Sequence, residues 1–436
     1  MSNAKKLQVL IIAEAANPDW YSVPLLGWSH SLALSKLCHT HLVTQIRNLE
    51  SIERFGWKDG REFTCVNTEK FARPIHKLSM LLRGGNKLGW TIDTALASLI
   101  YPYFERQIWK KFQKELTDGK FDIVHRITPV SPTAPSFLAK KLKKINVPFV
   151  VGPLNGGVPW PKEFPDMAKK ENEWLTKIRE IYKLLPGYRS LRKNSSAIIC
   201  GSKATLKQMP TNLKHKLIYQ PENAIDVERF SLKNSICSEN HLKVAFVGRL
   251  VPYKGCDMAI EAIAELARAE KVTFDIYGTG PEEKKLEALI KTLGLEKFIT
   301  LHGFIPNTKL QQMLVNADIF LFPSVREFGG GSIIEAMALG LVPIVLDYAG
   351  PGELVDDLCG YLIPMERRTK VIQSIEVILK QIINDKSVLK KKRTQAIAKV
   401  ESMYTWQRKA EQDIEIYKWL LNQRAKPEFF AETLTG

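Results

Sequence analysis

The cysteine patterns that would indicate a metal-binding site or a disulfide-stabilised fold are missing from this chain of 436 residues. Its cysteines are few and widely spaced, and no two of them form a Cys-x-x-Cys pair. This spacing argues against a zinc site and against a disulfide framework, and it is typical of a protein in a reducing cytosol. The six cysteines are Cys38, Cys65, Cys200, Cys237, Cys256 and Cys359.

Long hydrophobic runs are also missing. The apolar run at residues 7–13 ends at Glu14, so it is too short for a signal sequence or a membrane span and predicts a buried first strand. No other segment reaches about 18 uncharged apolar residues, the length that a bilayer-crossing helix needs. The sequence therefore predicts a cytoplasmic protein that does not cross a membrane.

Acidic residues are scarce in the first half only. Residues 1–220 hold 35 Lys and Arg against 17 Asp and Glu, whereas residues 221–436 hold 28 against 29. Two interpretations stay open: a solvated lysine-rich surface, or a face for an anionic partner such as membrane headgroups or a lipid-pyrophosphate acceptor. A nucleic-acid partner is not expected, because the sequence has no RNP-like basic and aromatic pattern and no zinc finger.

The stretch at residues 73–115 mixes large apolar side chains with eight Lys and Arg residues. Such a composition is typical of an interfacial helix that lies on a membrane surface, and equally of a core-packing helix with a solvated basic face. Peripheral attachment to the inner face of a membrane is therefore a hypothesis, and an anionic membrane surface is a candidate partner.

Short apolar runs alternate with amphipathic stretches, which is the pattern of βα units with parallel sheets. A polar stretch at residues 221–240 separates two such series and is the best candidate linker. We predict an α/β fold of two Rossmann-like domains that face each other across a cleft, with ligands at the carboxyl ends of the strands. The predicted units are a first domain (1–220), a second domain (221–405) and a final helix and tail (406–436).

The segment KVAFVGRLVPYKG in the second series reads as a strand that ends at Gly248 and is followed by Arg249 and Lys254. The end of a strand in a Rossmann-like domain is where phosphate binds, and two cations there would neutralise a diphosphate that becomes a leaving group. The alternative is a surface Arg and Lys on an ordinary loop.

The most specific segment is FLFPSVREFGGGSIIEAMALG. An apolar strand leads to Glu327, then to Phe328-Gly329-Gly330-Gly331, and then to a helix that carries Glu335. Glycines at the start of a helix let backbone N–H groups approach a ligand closely, and the helix dipole favours an anion there. Glu335, about one turn inside the helix, could accept hydrogen bonds from a ribose diol. The alternative is that both glutamates merely stabilise the helix.

Glu327 and Glu335, with seven residues between them, resemble the E-x7-E signature of the retaining GT-B glycosyltransferases of family 4. The resemblance covers nearly all of residues 220–420 and includes the interdomain segment PENAIDVERF, with Asn223, Asp226 and Phe230. It implies the GT-B form of the predicted fold, with a closing helix that crosses back to the first domain.

The resemblance also implies the roles of individual residues. Arg249 and Lys254 would hold the donor diphosphate, Glu335 the ribose, and Glu327 the hydroxyls of the transferred sugar. The amides of Phe328–Gly331 would contact sugar or phosphate, and the backbone around Phe304 would read the base. The resemblance further implies retention of configuration, no metal and no permanently bound cofactor, with a UDP- or GDP-sugar as donor and a glycan or a lipid-linked compound as acceptor.

The N-terminal half resembles the family more loosely. Gly27 would present a backbone amide to the donor phosphates, although the family usually has two glycines in this loop. Many relatives place a His after the strand at residues 147–152, where this chain has Asn155, Gly156 and Gly157 instead. These three residues, and His125 as a weaker substitute, are candidates for the sugar and acceptor contacts. Gly156 and Gly157 could equally be a tight turn.

The predicted function is a metal-independent, retaining hexosyltransferase of the kind that serves polysaccharide biosynthesis. Its catalytic residues would be Glu327, Arg249 and Lys254. Two alternatives remain: a binding or scaffold protein that has kept the fold without chemistry, and a sugar-nucleotide epimerase, which fits the E-x7-E pattern poorly.

Overall fold

A computed structural model describes residues 6–69, 89–170, 186–234 and 241–430 of the chain. Within these ranges the strands form one sheet of seven strands and one of six. The neighbouring strands of both sheets are parallel, and the connections between parallel strands run through helices or long loops. The predicted α/β class with two Rossmann-like domains is therefore confirmed.

The first sheet has the strand order β3-β2-β1-β4-β5-β6-β7. Its central strands are buried along nearly their whole length, as expected when helices cover both faces of a parallel sheet, although Ile123–Thr128 also contains His125 and Arg126. The strands are β1 (Gln8–Ala13), β2 (His39–Gln45), β3 (Phe63–Val66), β4 (Ile123–Thr128), β5 (Phe149–Leu154), β6 (Ala197–Cys200) and β7 (Leu217–Tyr219). The helices are α1 (Val23–Leu37), α2 (Leu49–Phe55), α3 (Gly89–Thr117), α4 (Leu138–Lys144), α5 (Pro165–Lys170), α6 (Pro186–Asn194) and α7 (Lys203–Lys207).

The second sheet has the order β10-β9-β8-β11-β12-β13. Its strands are β8 (Leu242–Val247), β9 (Val272–Tyr277), β10 (Ile299–Gly303), β11 (Ile319–Phe322), β12 (Val342–Leu346) and β13 (Tyr361–Ile363). Its helices are α8 (Cys256–Arg268), α9 (Glu283–Leu293), α10 (Asn307–Leu314), α11 (Gly331–Leu339), α12 (Ala349–Leu354), α13 (Arg368–Asn384) and α14 (Ser387–Met403). The helix that closes the chain is α15 (Trp406–Leu420).

Both sheets have a point at which the strand order reverses, between β1 and β4 in the first sheet and between β8 and β11 in the second. The connections that leave two such strands at their carboxyl ends go to opposite faces of the sheet, and the crevice between them is where doubly wound proteins bind ligands. In the second domain this crevice is bordered by the loop after β8 (residues 248–255) and the loop after β11 (residues 323–330).

The chain passes between the domains twice, and the two passages run side by side. The Ile225 N–H donates to the Tyr404 carbonyl (2.9 Å), and the Trp406 N–H donates to the Ile225 carbonyl (3.0 Å). Helix α15 then packs against α1 of the first domain. The predicted crossing of the last helix back to the first domain is thus confirmed. Residues 235–240 of the predicted linker lie outside the described residues.

Helix α3 contains the second part of the apolar and basic stretch at residues 73–115. From residue 100 onward its apolar side chains are buried in the core of the first domain, among them Tyr101, Phe104, Ile108 and Phe112. For this part of the stretch the core-packing interpretation is therefore correct, because buried side chains are not available to a membrane. Residues 73–88 lie outside the described residues, so their membrane contact stays a prediction. Within the described ranges no helix is long and apolar enough to cross a bilayer.

Gly278, which follows β9, permits a close contact between strand-end loops. Its φ is +133°, and a Cβ at this position would lie 2.0 Å from the carbonyl oxygen of Gly248. We expect Gly278→Ala to lower the free energy of unfolding by about 3 kcal/mol or more, because a backbone oxygen cannot move aside. Gly294→Ala is the matched control, since Gly294 also has a positive φ (+66°) but open space around it, and should lose only about 1–2 kcal/mol. Equal losses in chemical denaturation would contradict this prediction.

Candidate active site

Lys254 is held at the crevice of the second domain by a contact between two loops. It ends the short 3-10 turn Pro252–Lys254, and Gly255 follows with φ +71°. A Cβ at Gly255 would lie 2.3 Å from the carbonyl oxygen of Pro323. Only glycine therefore allows the loop after β8 to touch the loop after β11, and this contact brings Lys254 to the second loop.

Lys254 and Glu327 form an ion pair across this crevice, with side chains that are 15% and 17% exposed. The ammonium also lies 4.9 Å from the centre of the Phe322 ring, and the Glu327 carboxylate accepts the N–H of Phe328 (3.2 Å). The structure thus brings together two of the three residues that the sequence predicts to be catalytic. The electrostatic interactions of a cation and a carboxylate are stronger when both are mostly shielded from water than when they lie on the surface.

The glycine loop leads directly into α11. Gly330 is the residue before the helix and has φ +59°, a left-handed conformation that favours glycine. Within the described residues, the N–H groups of Gly329, Gly330, Gly331 and Ser332 have no protein acceptor. Free amides at the positive end of a helix dipole form a site for an anion or a polar oxygen.

Glu335 lies on α11, one turn after the glycine loop, and is partly buried. Burial raises the pKa of its carboxyl to about 7, an effect that the nearby Arg229 guanidinium partly opposes. Its oxygens have no hydrogen-bond donor among the described residues. A partly buried carboxylate whose oxygens accept no hydrogen bond from the described residues can accept them from a ligand.

Arg249 lies on the same loop as Lys254, but its side chain is exposed. Among the described residues no ion pair joins it to Glu327 or to another carboxylate. Gly248, just before it, donates its N–H to the Tyr277 carbonyl (3.0 Å), so this amide is not available to a ligand. The predicted phosphate contact of Arg249 stays a prediction.

Phe304 lies beyond β10 and is 58% exposed. The Tyr21 ring, from the loop after β1, meets it edge to face at 5.7 Å between ring centroids. Since Tyr21 belongs to the first domain, this pair of rings bridges the two domains at the position that the sequence assigns to the base. No motif in the sequence marks Tyr21, because its role depends on a contact with the other domain.

Gly27 does not have the predicted role. It lies inside α1, which begins at Val23, and the preceding Leu26 N–H already donates to the Ser22 carbonyl (3.0 Å). An amide in the fifth position of a helix donates within the helix, so Gly27 has no amide to offer a phosphate. A Cβ at Gly27 would lie 2.1 Å from the carbonyl oxygen of Ala15, and glycine is needed for this packing.

His125 cannot contact a sugar or an acceptor, and that prediction is wrong. It is fully buried, and both ring nitrogens are engaged. Its Nε2–H donates to the Gly152 carbonyl (2.9 Å), and its Nδ1 accepts from the Tyr417 hydroxyl (2.6 Å). His125 thus joins the first sheet to helix α15.

Burial lowers the pKa of His125 to about 4. The unfolded chain binds a proton at this residue below about pH 6.5, whereas the native state stays neutral down to about pH 4. We therefore expect the free energy of unfolding to fall by about 3 kcal/mol between pH 7 and pH 4 on account of this residue.

The variant His125→Gln should be less stable at pH 7 but should show a flatter dependence on pH, measured by urea denaturation from pH 4 to 7. The exposed His215 provides the control, and His215→Gln should keep the wild-type slope. An unchanged slope in His125→Gln would show that this residue does not remain neutral in the native state.

The loop after β5 brings Asn155 to the edge of the cleft, but its side chain is buried and engaged. The amide accepts from the Ser202 hydroxyl (2.9 Å) and donates to the Glu222 carboxylate. The Gly156 N–H donates to the Thr205 hydroxyl (3.3 Å). The side chain of Asn155 is therefore not free for a sugar.

Gly157 is exposed, and both Gly156 and Gly157 have positive φ values, +146° and +73°. These conformations favour glycine at both positions, but residues 155–160 form neither a turn nor a bend, so the tight-turn interpretation is not supported. Among the described residues the Gly157 N–H has no protein acceptor, so of the two amides it is the one still available for the predicted contact.

Several contacts hold the two domains together beside this site. The carboxylate of Glu353 accepts the N–H of Lys203 (2.8 Å) at the start of α7 and the hydroxyl of Tyr219 (2.9 Å). From the loop after β11, the guanidinium of Arg326 donates to the Val158 carbonyl (3.1 Å) and lies over the Trp160 ring. No local motif in the sequence marks these residues, because their role depends on contacts between distant parts of the chain.

Metal-ligating residues do not cluster in the parts of the chain that the structure describes. There, no group of three or more His, Cys, Asp or Glu side chains could hold a metal ion. The five cysteines within the described residues are free thiols.

Comparison with known proteins identifies the second domain. Residues 228–399 match the family of glycosyl transferases group 1. A putative colanic acid biosynthesis glycosyltransferase, WcaL of Escherichia coli, is 36% identical over 149 residues, which are 32% of this chain and 36% of that protein. The matches to curated relatives span only 30–51% of the length of those relatives.

Solved structures match nearly the whole chain at low sequence identity. A glycosyltransferase from Rickettsia africae has a TM-score of 0.62 and 15% identity, over 97% of this chain and 100% of that one. The Anabaena protein HepE, in complex with UDP and glucose, has a TM-score of 0.59 and 16% identity, over 94% of this chain and 99% of that one. The match to the glycosyl transferases group 1 family is thus confined to residues 228–399, and the described residues have the GT-B fold.

Proposed function

We propose that this protein is a glycosyltransferase that moves a sugar from a nucleotide-sugar donor onto a hydroxyl acceptor. The observation that carries the proposal is the convergence of Lys254, Glu327 and a glycine loop with free amides at one crevice. Cations and N–H donors at one point suit a diphosphate leaving group, and the neighbouring carboxylate suits sugar hydroxyls. The family of residues 228–399 supports the same activity.

In the proposed reaction the bond between the anomeric carbon and the diphosphate oxygen breaks, and its electron pair stays on the diphosphate. Lys254 and the amides of the glycine loop stabilise this charge, and Arg249 adds a second cation from the exposed end of the loop. The acceptor hydroxyl attacks the anomeric carbon from the same face and gives its proton to the departing phosphate oxygen. This course retains the anomeric configuration and needs no metal.

The donor is a UDP- or GDP-sugar in this proposal. Glu335 binds the ribose hydroxyls, and the backbone near Phe304 contacts the base. A uridine nucleotide is supported by HepE, whose structure contains UDP and glucose. A polysaccharide or lipid-linked acceptor is supported by WcaL, which is named for colanic acid biosynthesis.

A thermal-shift screen against UDP, GDP, UDP-glucose and GDP-mannose tests the donor class. A nucleotide that binds only the folded state at 100 times its Kd stabilises the protein by about 2.7 kcal/mol. We expect a rise in melting temperature with one base and not with the other, followed by slow hydrolysis of the matching nucleotide sugar without acceptor. Stabilisation without hydrolysis or transfer in the presence of candidate acceptors would instead indicate a binding protein.

A further inference from the structure

The segment between β7 and the second domain carries a buried carboxyl that the proposed reaction has not yet used. Glu222 is only 9% exposed, and its N–H donates to the Gly201 carbonyl (3.1 Å) at the end of β6. A Cβ at Gly201 would lie 3.0 Å from the Cβ of Glu222 and 3.2 Å from that of Asn155. Glu222 and Asn155 are therefore packed together on the cleft edge of the first domain.

Asn155 fixes the position of this carboxyl. The Asn155 amide oxygen accepts from Ser202, so its NH₂ group points away from that hydroxyl and donates to Oε2 of Glu222. Among the described residues this is the hydrogen bond that the Glu222 carboxylate accepts. A carboxylate can accept several hydrogen bonds, so most of its capacity remains unused.

The oxygen that Asn155 holds, Oε2 of Glu222, also lies against the glycine loop of the second domain. A Cβ at Gly329 would lie 2.9 Å from Oε2 of Glu222 and 2.2 Å from the amide nitrogen of Asn223. Burial raises the pKa of the Glu222 carboxyl, the Asn155 hydrogen bond and the Lys409 charge partly oppose this, and the negative charge of Glu327 raises the pKa further. Glu222 thus lies between the first domain and the residues that the proposed function assigns to the sugar.

We propose that Glu222 is a sugar-binding residue that accepts a hydrogen bond from a hydroxyl of the transferred sugar. This inference rests on the proposed function and takes the sugar contact to a side chain of the interdomain segment. Asn155, whose side chain was the predicted sugar ligand, acts as a positioning residue because its amide holds Glu222.

The test compares ligands with and without the sugar. For the nucleotide that the wild-type protein binds, calorimetry measures the Kd of the nucleoside diphosphate and of its hexose conjugate, UDP with UDP-glucose or GDP with GDP-mannose. In Glu222→Gln we expect the Kd of the nucleotide sugar to rise by about tenfold or more, as for a lost hydrogen bond to a charged group. The Kd of the nucleoside diphosphate should change by less than about twofold.

Asn155→Ala should show the same pattern with a smaller rise, because it frees the carboxylate without removing it. If Glu222 only supported the glycine loop, both ligands would lose affinity equally in Glu222→Gln, and that outcome overturns the inference. Unchanged affinity for both ligands also overturns it. If the wild-type protein itself bound no nucleotide, the proposed function would fail first, which is a different result.

Discussion

Replacing Lys254 by methionine should reduce kcat/KM for sugar transfer by about 100- to 1000-fold. The methionine side chain fills a similar space but removes the cation beside the proposed leaving group. The loss of one preorganised charge-stabilising donor raises a barrier by about 2.7–4 kcal/mol, which corresponds to this range of rates. The measurement is steady-state turnover with a working donor and acceptor, or donor hydrolysis where no acceptor is known.

The same substitution also leaves the Glu327 carboxylate mostly buried without its cation, so a loss of folding could be mistaken for a loss of catalysis. The double variant Lys254→Met/Glu327→Gln separates the two effects. It should recover most of the stability that Lys254→Met loses, because no uncompensated charge remains. It should not recover activity. Lys284→Met, on the exposed side of α9, is the control and should keep the stability and the activity of the wild type. Turnover of Lys254→Met within about threefold of the wild type would exclude the proposed role of Lys254.

The fold could be predicted from the sequence because most of its strands are short apolar runs that can be recognised locally. The inner strands β1, β11 and β12 are nearly continuous apolar runs, which parallel sheets covered on both faces require. The edge strands β3, β7 and β13 have only four, three and three residues, and the sequence did not predict them. Runs of this length carry too little periodicity to be recognised.

The parts of the site on the second domain were predictable for a related reason. Glu327 and the three glycines lie within a span of five residues that follows β11, and Lys254 follows the neighbouring strand β8, so a single topology rule brings them together. Gly27 was misassigned because α1 begins earlier than the sequence suggested, at Val23. Pro24 favours this early start, because proline suits the first turn of a helix.

The errors on the first domain have a different cause. All six residues of β4 are buried, so its alternation does not show which side chains approach the cleft, and His125 could not be excluded. Glu222 was missed because its role depends on Asn155 and Gly329, which are far from it in the chain and belong to different domains. Contacts of this kind leave no pattern in one sequence.

We expect the charged form of Glu335 to lower the stability of the fold and to bind the ribose of the donor. Replacing Glu335 by glutamine tests both expectations. The Glu335 pKa of about 7 lies well above the ordinary value of 4.5. Between these two pH values the native state holds a proton that the unfolded chain has released, so the free energy of unfolding falls as pH rises and levels off above about pH 7. The penalty above pH 7 is about 3 kcal/mol.

Glu335→Gln removes this titration, so the variant should be more stable than the wild type at pH 8 by about 2–3 kcal/mol and nearly equal to it at pH 4.5. The exposed Glu287 on α9 supplies the control, and Glu287→Gln should follow the wild-type curve. Chemical denaturation at the two pH values measures the difference. A constant offset between Glu335→Gln and the wild type would show that Glu335 does not titrate in this window.

The same variant should bind the nucleoside diphosphate about 10- to 100-fold more weakly at pH 8, because a neutral amide replaces a carboxylate that accepts hydrogen bonds from the ribose. The ratio of wild-type to variant affinity should rise from pH 6 to pH 8 as the carboxyl ionises, because the ionisation of the terminal phosphate of the ligand affects both proteins alike. A carboxylate that serves only the fold would not be kept at a position where its charge destabilises the fold. If Glu335→Gln gained stability and kept full affinity, the carboxylate would not be the ribose ligand.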